Sequence, residues 1–171
     1  MVEYTTPEME NVVEENKDLL EKWLTFWLDG QLYGSAIVHI EQIVSMLPIT
    51  EVPEYPPYAK GVINIRGAII PLIDLRLRIG KPEAAYTDQT CIIICRIDDS
   101  QIGFIADSVD AVMTILPEQI SSPPKMGEDG SARYLRGIAR IASDDGEKLV
   151  LCLDTTKVLL DNEVDLLVQN T

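Results

Sequence analysis

The chain has 171 residues, 46% of them apolar and 25% charged, with a formal net charge of −14. Such a composition buries a core instead of staying disordered, and the length suits one domain or two very small ones. The acidic balance opposes nucleic acid and anionic lipid as partners, and no apolar run approaches the ~20 residues of a membrane helix, so direct membrane insertion is not expected.

Acid is dense at the start of the chain, where Glu3, Glu8, Glu10, Glu14, Glu15, Asp18 and Glu21 stand against Lys17 alone. Residues 1–21 read as a solvated tail or a short helix, with Met9, Val12, Val13, Leu19 and Leu20 at loosely helical spacing. They lack the apolar core of a secretory leader, so the expected location is cytoplasmic. WLTFWLDGQLYG follows, and Asp29-Gly30 between its two apolar runs signals a hairpin. AIVHIEQIVSML fits a helix through Ile37, Ile40, Val44 and Leu47, or a strand entered through one helical turn. Pro48, Pro53, Pro56 and Pro57 then impose an extended loop.

KGVINIRGAIIPLIDLRLRIG, at 60–80, reads as a hairpin with Arg66-Gly67 at its tip and Gly67 at positive φ. Pro71 cannot donate to a ladder, so an edge or a bulge is expected there. A buried Asn64 should hydrogen-bond backbone at a bulge. Asp74 caps a short helical turn that Gly80 ends. Residues 81–89 are a polar connector. The β pattern restarts with CIIICRI, a DDSQ turn, IGFIA, a DSVD turn and AVMTIL. Residues 117–131 form a Pro/Gly-rich loop. YLRGIARIA and KLVLCLD are strands around DDGE, and Asp154 or Thr155 caps a last short helix. Strands this short and this evenly spaced indicate an all-β barrel or sandwich, and the connector at 81–89, which splits them into two groups, points to two small barrels sharing a core.

Chemistry-bearing motifs are sparse. Cys91 and Cys95 fall on one face of a strand, and with Cys152 they read as buried, inert thiols. His39 has neither the partners of a zinc site nor a Ser or Cys to activate, and is expected to be exposed. Neither a metal site nor catalysis is expected from these residues.

KGVINIRGAIIPLIDLRLRIG resembles the signature of the CheW family of bacterial chemotaxis coupling proteins. The resemblance continues through LTFWLDGQLYG and VHIEQI, the proline-rich ITEVPEYPPYAKG, IGFIADSVDAVMTILPEQISSPP, and YLRGIARI with LVLCLDTTKVL. It runs collinearly over about residues 22–161. It implies two SH3-like five-stranded barrels around a shared hydrophobic core, with subdomains at about 30–85 and 86–150 and chain ends crossing between them. Segments 1–21 and 162–171 would be tails. The implied function is a non-catalytic adaptor joining the cytoplasmic tip of a chemoreceptor to the regulatory domain of a CheA-type histidine kinase, recruited to membrane-associated receptor arrays.

Matching the motifs places a receptor-binding groove at Ile37, Val38, Ile40, Glu41 and Ile43 on one side, and at Ala106, Asp107, Val109 and Asp110 on the other. An apolar groove for an amphipathic helix is a familiar recognition mode. The kinase surface falls on Pro48, Thr50, Val52, Arg66 and Gly67. Bland alternatives stand beside these roles. The isoleucines also suit a core, Asp107 and Asp110 suit turns, and Arg66 suits a solvated tip or an ion pair. At 35 and 36 the chain has Ser35 and Ala36 where the family commonly has an apolar and an acidic residue, and Trp27 is bulky for its place; these departures bear on the receptor class. The competing functions are a small-ligand-binding β-barrel or a minor enzyme using acidic residues, and an adaptor of a non-motility pathway.

Overall fold

A computed structural model describes residues 21–123 and 131–159. The expected helix before residue 21 and the last residues of the chain lie outside that range. The fold is all-β apart from short helical turns. Its strands are β1 (Lys22–Leu28), β2 (Gln31–Ala36), β3 (Ile40–Ser45), β4 (Ala59–Ile65), β5 (Ala68–Asp74), β6 (Cys91–Ile97), β7 (Ser100–Ala106), β8 (Ser108–Thr114), β9 (Ile120–Ser121), β10 (Leu135–Ser143) and β11 (Gly146–Leu153). Two short helices, α1 (Leu75–Arg78) and α2 (Thr155–Leu159), follow β5 and β11.

The strands form a six-stranded sheet, ordered β8-β1-β2-β11-β10-β9, and a five-stranded one, ordered β3-β6-β7-β5-β4. Chain order does not divide them. β3, β4 and β5 join β6 and β7, while β1 and β2 join the last four strands. The sixth strand of the larger sheet is β9, which pairs with β10 inside a stretch expected to be only loop.

The two sheets repeat one plan. A hairpin (β1–β2, β6–β7) lies beside the last strand of a second hairpin in parallel (β11, β5), and the other strand of that second hairpin (β10, β4) meets a short outer segment (β9, Thr50). The third strand of each half pairs with the first strand of the other, β8 with β1 and β3 with β6. The ladders make the correspondence residue by residue. Thr25 faces Gly34 and Ile94 faces Gly103. Bulges recur at matching places with matching charge, Glu41 with Asp110 and Lys60 with Arg136. The amides of Asp74 and Asp154 donate to the carbonyls of Tyr58 and Tyr134, both at 2.8 Å. Each aspartate then caps its helix, Asp74 from Leu77 N and Asp154 from Lys157 N.

Three clusters form the core. Ile63, Ile70, Leu72, Ile92, Ile94 and Ile105 fill one barrel, and Trp23, Leu32, Ile115, Ala139, Val150 and Cys152 fill the other. Between the sheets lies a shared cluster including Leu24, Phe26, Leu28, Tyr33, Ile73, Ile93 and Phe104. CIIICRI is nearly all apolar because β6 is buried on both faces. Cys91, Ile93 and Cys95 point to the shared cluster, and Ile92 and Ile94 into a barrel. Each fully buried Ile or Phe stabilises by about 1.5–3 kcal/mol.

Several sequence expectations need correction. Pro71 lies at neither an edge nor a bulge, since β5 runs between β4 and β7. Val62 exchanges both backbone bonds with Thr50, so the facing Val62–Pro71 pair is not hydrogen-bonded, and β5 meets β7 only from Leu72 onward. The proline's missing N–H therefore falls where no ladder needs it. Asn64 is exposed, and its Oδ1 accepts from Gly67 N at 2.9 Å, closing the turn instead of filling a bulge. The 60–80 hairpin reaches the surface at Ile69, which is 49% exposed. DSVD is not a turn. Asp107 alone separates β7 from β8, as the chain leaves one sheet and enters the other. His39 is half-buried, lining an opening with Trp23, Ala36 and Arg136.

Candidate functional site

A single 3-10 turn, Ile37–His39, carries the chain from β2 to β3 at the edge of the five-stranded sheet. It sets out one apolar wall. Val38 and Ile43 are 53% and 42% exposed. Ile37 is half-buried, and Ile40 is half-buried against the shared core. Glu41 is the bulge residue, and its carboxylate accepts from Arg96 Nε and, at 2.6 Å, from Gln101 Nε2. Those hydrogen bonds, Arg96's first, hold the Glu41 carboxyl below its usual range. A bulged, charged residue on an edge strand also blocks pairing with another chain.

The corresponding crossing, β7 to β8, sets out a second wall at the edge of the six-stranded sheet. Ala106 is only 1% exposed and packs in the shared core, so it has no surface to offer a partner. Asp107 is held from several sides. Arg76 Nε donates to its Oδ1 at 2.8 Å and Arg76 Nη2 to its Oδ2 at 2.6 Å. The Asp29 amide donates to Oδ2 at 2.9 Å, and Asp107's own amide donates to Trp27 O at 3.1 Å. Burial pushes the Asp107 carboxyl up, but the Arg76 guanidinium and the Asp29 amide outweigh it and hold it below its ordinary value. Asp110 occupies the bulge, accepting from the fully buried Thr25 hydroxyl at 2.8 Å. Val109 is 37% exposed and Val112 53%.

The residues matched as two sides of a groove are thus structural counterparts of one another: Ile37 and Ala106, Val38 and Asp107, Ile40 and Val109, Glu41 and Asp110. Sequence reasoning included Ile43 but missed its counterpart Val112. In the ladders Ile43 faces Ile93 where Val112 faces Leu24. The repeat was the signal that would have found it. The polar bonds above tie each wall to its own neighbourhood, and the walls sit on edge strands of different sheets.

The third group gathers along the outer edge of β4. Thr50 bridges to Val62 through N–H···O bonds of 2.9 Å in both directions. This approach leaves Gly61 no room for a side chain, since a Cβ there would meet Thr50 O at 2.2 Å. Pro48 and Thr50 are exposed and Val52 is half-buried. Arg66 and Gly67, at φ 52° and 90°, form the exposed β4–β5 tip. Among the described residues, Arg66 makes no ion pair or side-chain hydrogen bond, and Ile69 adds an exposed apolar side chain that sequence reading did not single out.

Thiol chemistry has no foothold. Cys91, Cys95 and Cys152 are buried and unpaired, and burial pushes Cys95 up to about 12 and Cys152 up to about 11. What the surface offers is exposed apolar residues on strand edges, set among anchored charges, a composition suited to protein docking.

The family model for the CheW-like domain matches residues 22–163. The chain is 29% identical over 146 residues to chemotaxis protein CheW of Klebsiella aerogenes, covering 85% of this chain and 86% of that protein. It is 30% identical over 145 residues to chemotaxis protein CheW of Treponema pallidum, covering 82% and 83%. The crystal structure of the scaffolding protein TtCheW from Thermoanaerobacter tengcongensis superposes with a TM-score of 0.72 at 33% identity, over 84% of this chain and 90% of that one.

Proposed function

The chain belongs to the CheW-like domain family, and from that premise we propose that it is a non-catalytic scaffold of bacterial chemotaxis signalling, coupling chemoreceptors to the regulatory domain of a CheA-type histidine kinase. The observation that carries the reading is the match over residues 22–163, which spans both sheets and both edge walls. Val38, Ile40, Ile43, Val109 and Val112, with Glu41, Asp107 and Asp110 among them, form the surface for a receptor's helical tip. Pro48, Thr50, Val52, Arg66 and Gly67 form the kinase surface. Through those contacts the protein joins receptor arrays at the membrane without entering the bilayer, and among the described residues no helix is long and apolar enough to cross one.

The rival reading, a small-ligand-binding barrel, has little support, because side chains fill both barrel interiors. The receptor surface is tested by titrating a soluble fragment carrying a chemoreceptor tip into the wild type and into Ile43→Glu and Val112→Glu. Both side chains are exposed enough to change without unfolding the chain, so circular dichroism should stay as in the wild type while binding weakens by about ten-fold or more. Wild-type affinity in both variants would move the receptor surface elsewhere. Ile40→Glu is a poorer probe, since Ile40 packs on the shared core.

A further inference from the structure

The two crossings between the sheets follow one backbone plan but are fixed differently. At the first, the position of Asp107 is taken by Val38, which cannot accept a hydrogen bond, and Ala36 provides no side-chain cap to the turn. At the second, one guanidinium gathers four segments. Arg76 of α1 takes both oxygens of Asp107, reaches Asp29 Oδ1 in the β1–β2 turn at 3.5 Å, and donates to Pro82 O in the connector at 3.4 Å. Such a fork fixes orientation as well as distance. The counterpart of Arg76 in α2 is Thr156, too short for that reach.

Asp107 sits two residues before Val109 and three before the bulge at Asp110. Its angle therefore sets where β8 enters the sheet and which side chains of Val109–Val112 turn outward. From this geometry we infer that Arg76 is the positioning residue of the receptor-docking wall on β8. It acts through Asp107, and among the described residues no counterpart holds the wall on β3. The β8 wall is thus presented pre-formed, whereas the β3 wall is held by packing and by the Glu41–Arg96 pair beyond its turn. Pre-forming a surface raises affinity by removing the ordering cost from the binding step. This inference rests on the receptor-docking reading given above.

The test uses the full chain with two probes, a soluble fragment carrying a chemoreceptor tip and the regulatory domain of a CheA-type kinase. Arg76→Gln should weaken binding of the tip fragment by about ten-fold while kinase-domain affinity changes by less than about two-fold. Asp107→Asn should weaken the tip similarly, and the double variant should be no worse than either single one, as expected of residues acting as a unit. Arg76→Lys, which keeps the charge but loses the fork, serves if the glutamine variant does not fold, and should also weaken the tip fragment selectively. Equal losses against both probes would reduce Arg76 to general stability, and unchanged tip binding would end its positioning role. Failure of the wild type to bind the tip fragment would instead overturn the receptor-docking reading, and this inference with it.

Discussion

The two halves of the chain are built alike and finished differently. Both turn on a glycine pressed against a neighbouring strand, Gly61 and Gly137, both end in an aspartate-capped helix, and both set an edge strand with a bulged carboxylate beside the first strand of the other half. The side chains on that shared frame diverge at the surface, where Trp27 of one half corresponds to Arg96 of the other and Val38 to Asp107. The difference shows how a repeated fold acquires unlike faces. The glycines, capping aspartates and bulges repeat because backbone geometry leaves one solution there, whereas at exposed positions such as 27 and 96 solvent or a partner decides.

That comparison is broken most severely at the glycines. Gly61→Ala places a Cβ 2.2 Å from Thr50 O at a φ of +138°, so overpacking and backbone strain add. We expect a loss of about 4 kcal/mol by denaturant melts, against about 2 kcal/mol for Gly137→Ala, where overpacking acts without the positive φ. Equal losses would mean that the two sites are more alike than their backbones. Next is Arg78, buried between the rings of Tyr58 and Tyr134 at 4.6 and 4.8 Å and donating from Nε and Nη2 to Val158 O. It joins the matching tyrosines of both halves to α2. Arg78→Met should cost about 2–3 kcal/mol, because it loses both ring contacts and leaves the carbonyl without those donors.

Smaller effects sharpen the contrast. Asp107 has a folded pKa below its ordinary 3.8, so its contribution to stability is present above that value and is lost as pH falls through the folded one. Arg76→Gln should move the acid-unfolding midpoint to higher pH, followed by near-ultraviolet circular dichroism, and an unmoved midpoint would mean the pair contributes no net stability. The smallest effect is expected at Ser35, whose counterpart is Phe104. The Ser35 hydroxyl is buried without a hydrogen-bond partner among the described residues. Ser35→Ala should leave thermal stability unchanged or raise it by up to about 1 kcal/mol. A clear loss would reveal a bond from that hydroxyl.

Local chemistry was readable in the sequence wherever one residue type solves one backbone problem. Asp29-Gly30 made its hairpin with both residues at positive φ, Arg66-Gly67 did the same, and Asp74 capped α1. The shared face of Cys91 and Cys95 followed from alternation alone. What could not be read was which strand meets which. A period of two states that a strand has two faces, not that β3 crosses to β6 or that DSVD is a passage between sheets. Pro71 was misplaced for the same reason, since its tolerance depends on the hydrogen-bonding phase against Val62 and on where β7 begins. In the candidate site, residue type suggested both walls, but only burial could remove Ala106, and only the pairing of Val112 with Leu24 could add Val112.

A coupling scaffold must hold two partners at once. The most direct measurement is calorimetric titration of the regulatory domain of a CheA-type kinase into this protein, first alone and then with the receptor-tip fragment already bound. Saturable one-to-one binding is expected in both titrations, with a ternary complex that co-elutes in size exclusion. Absence of kinase-domain binding at tens of micromolar, or displacement of the tip fragment by the kinase domain, would contradict the coupling role.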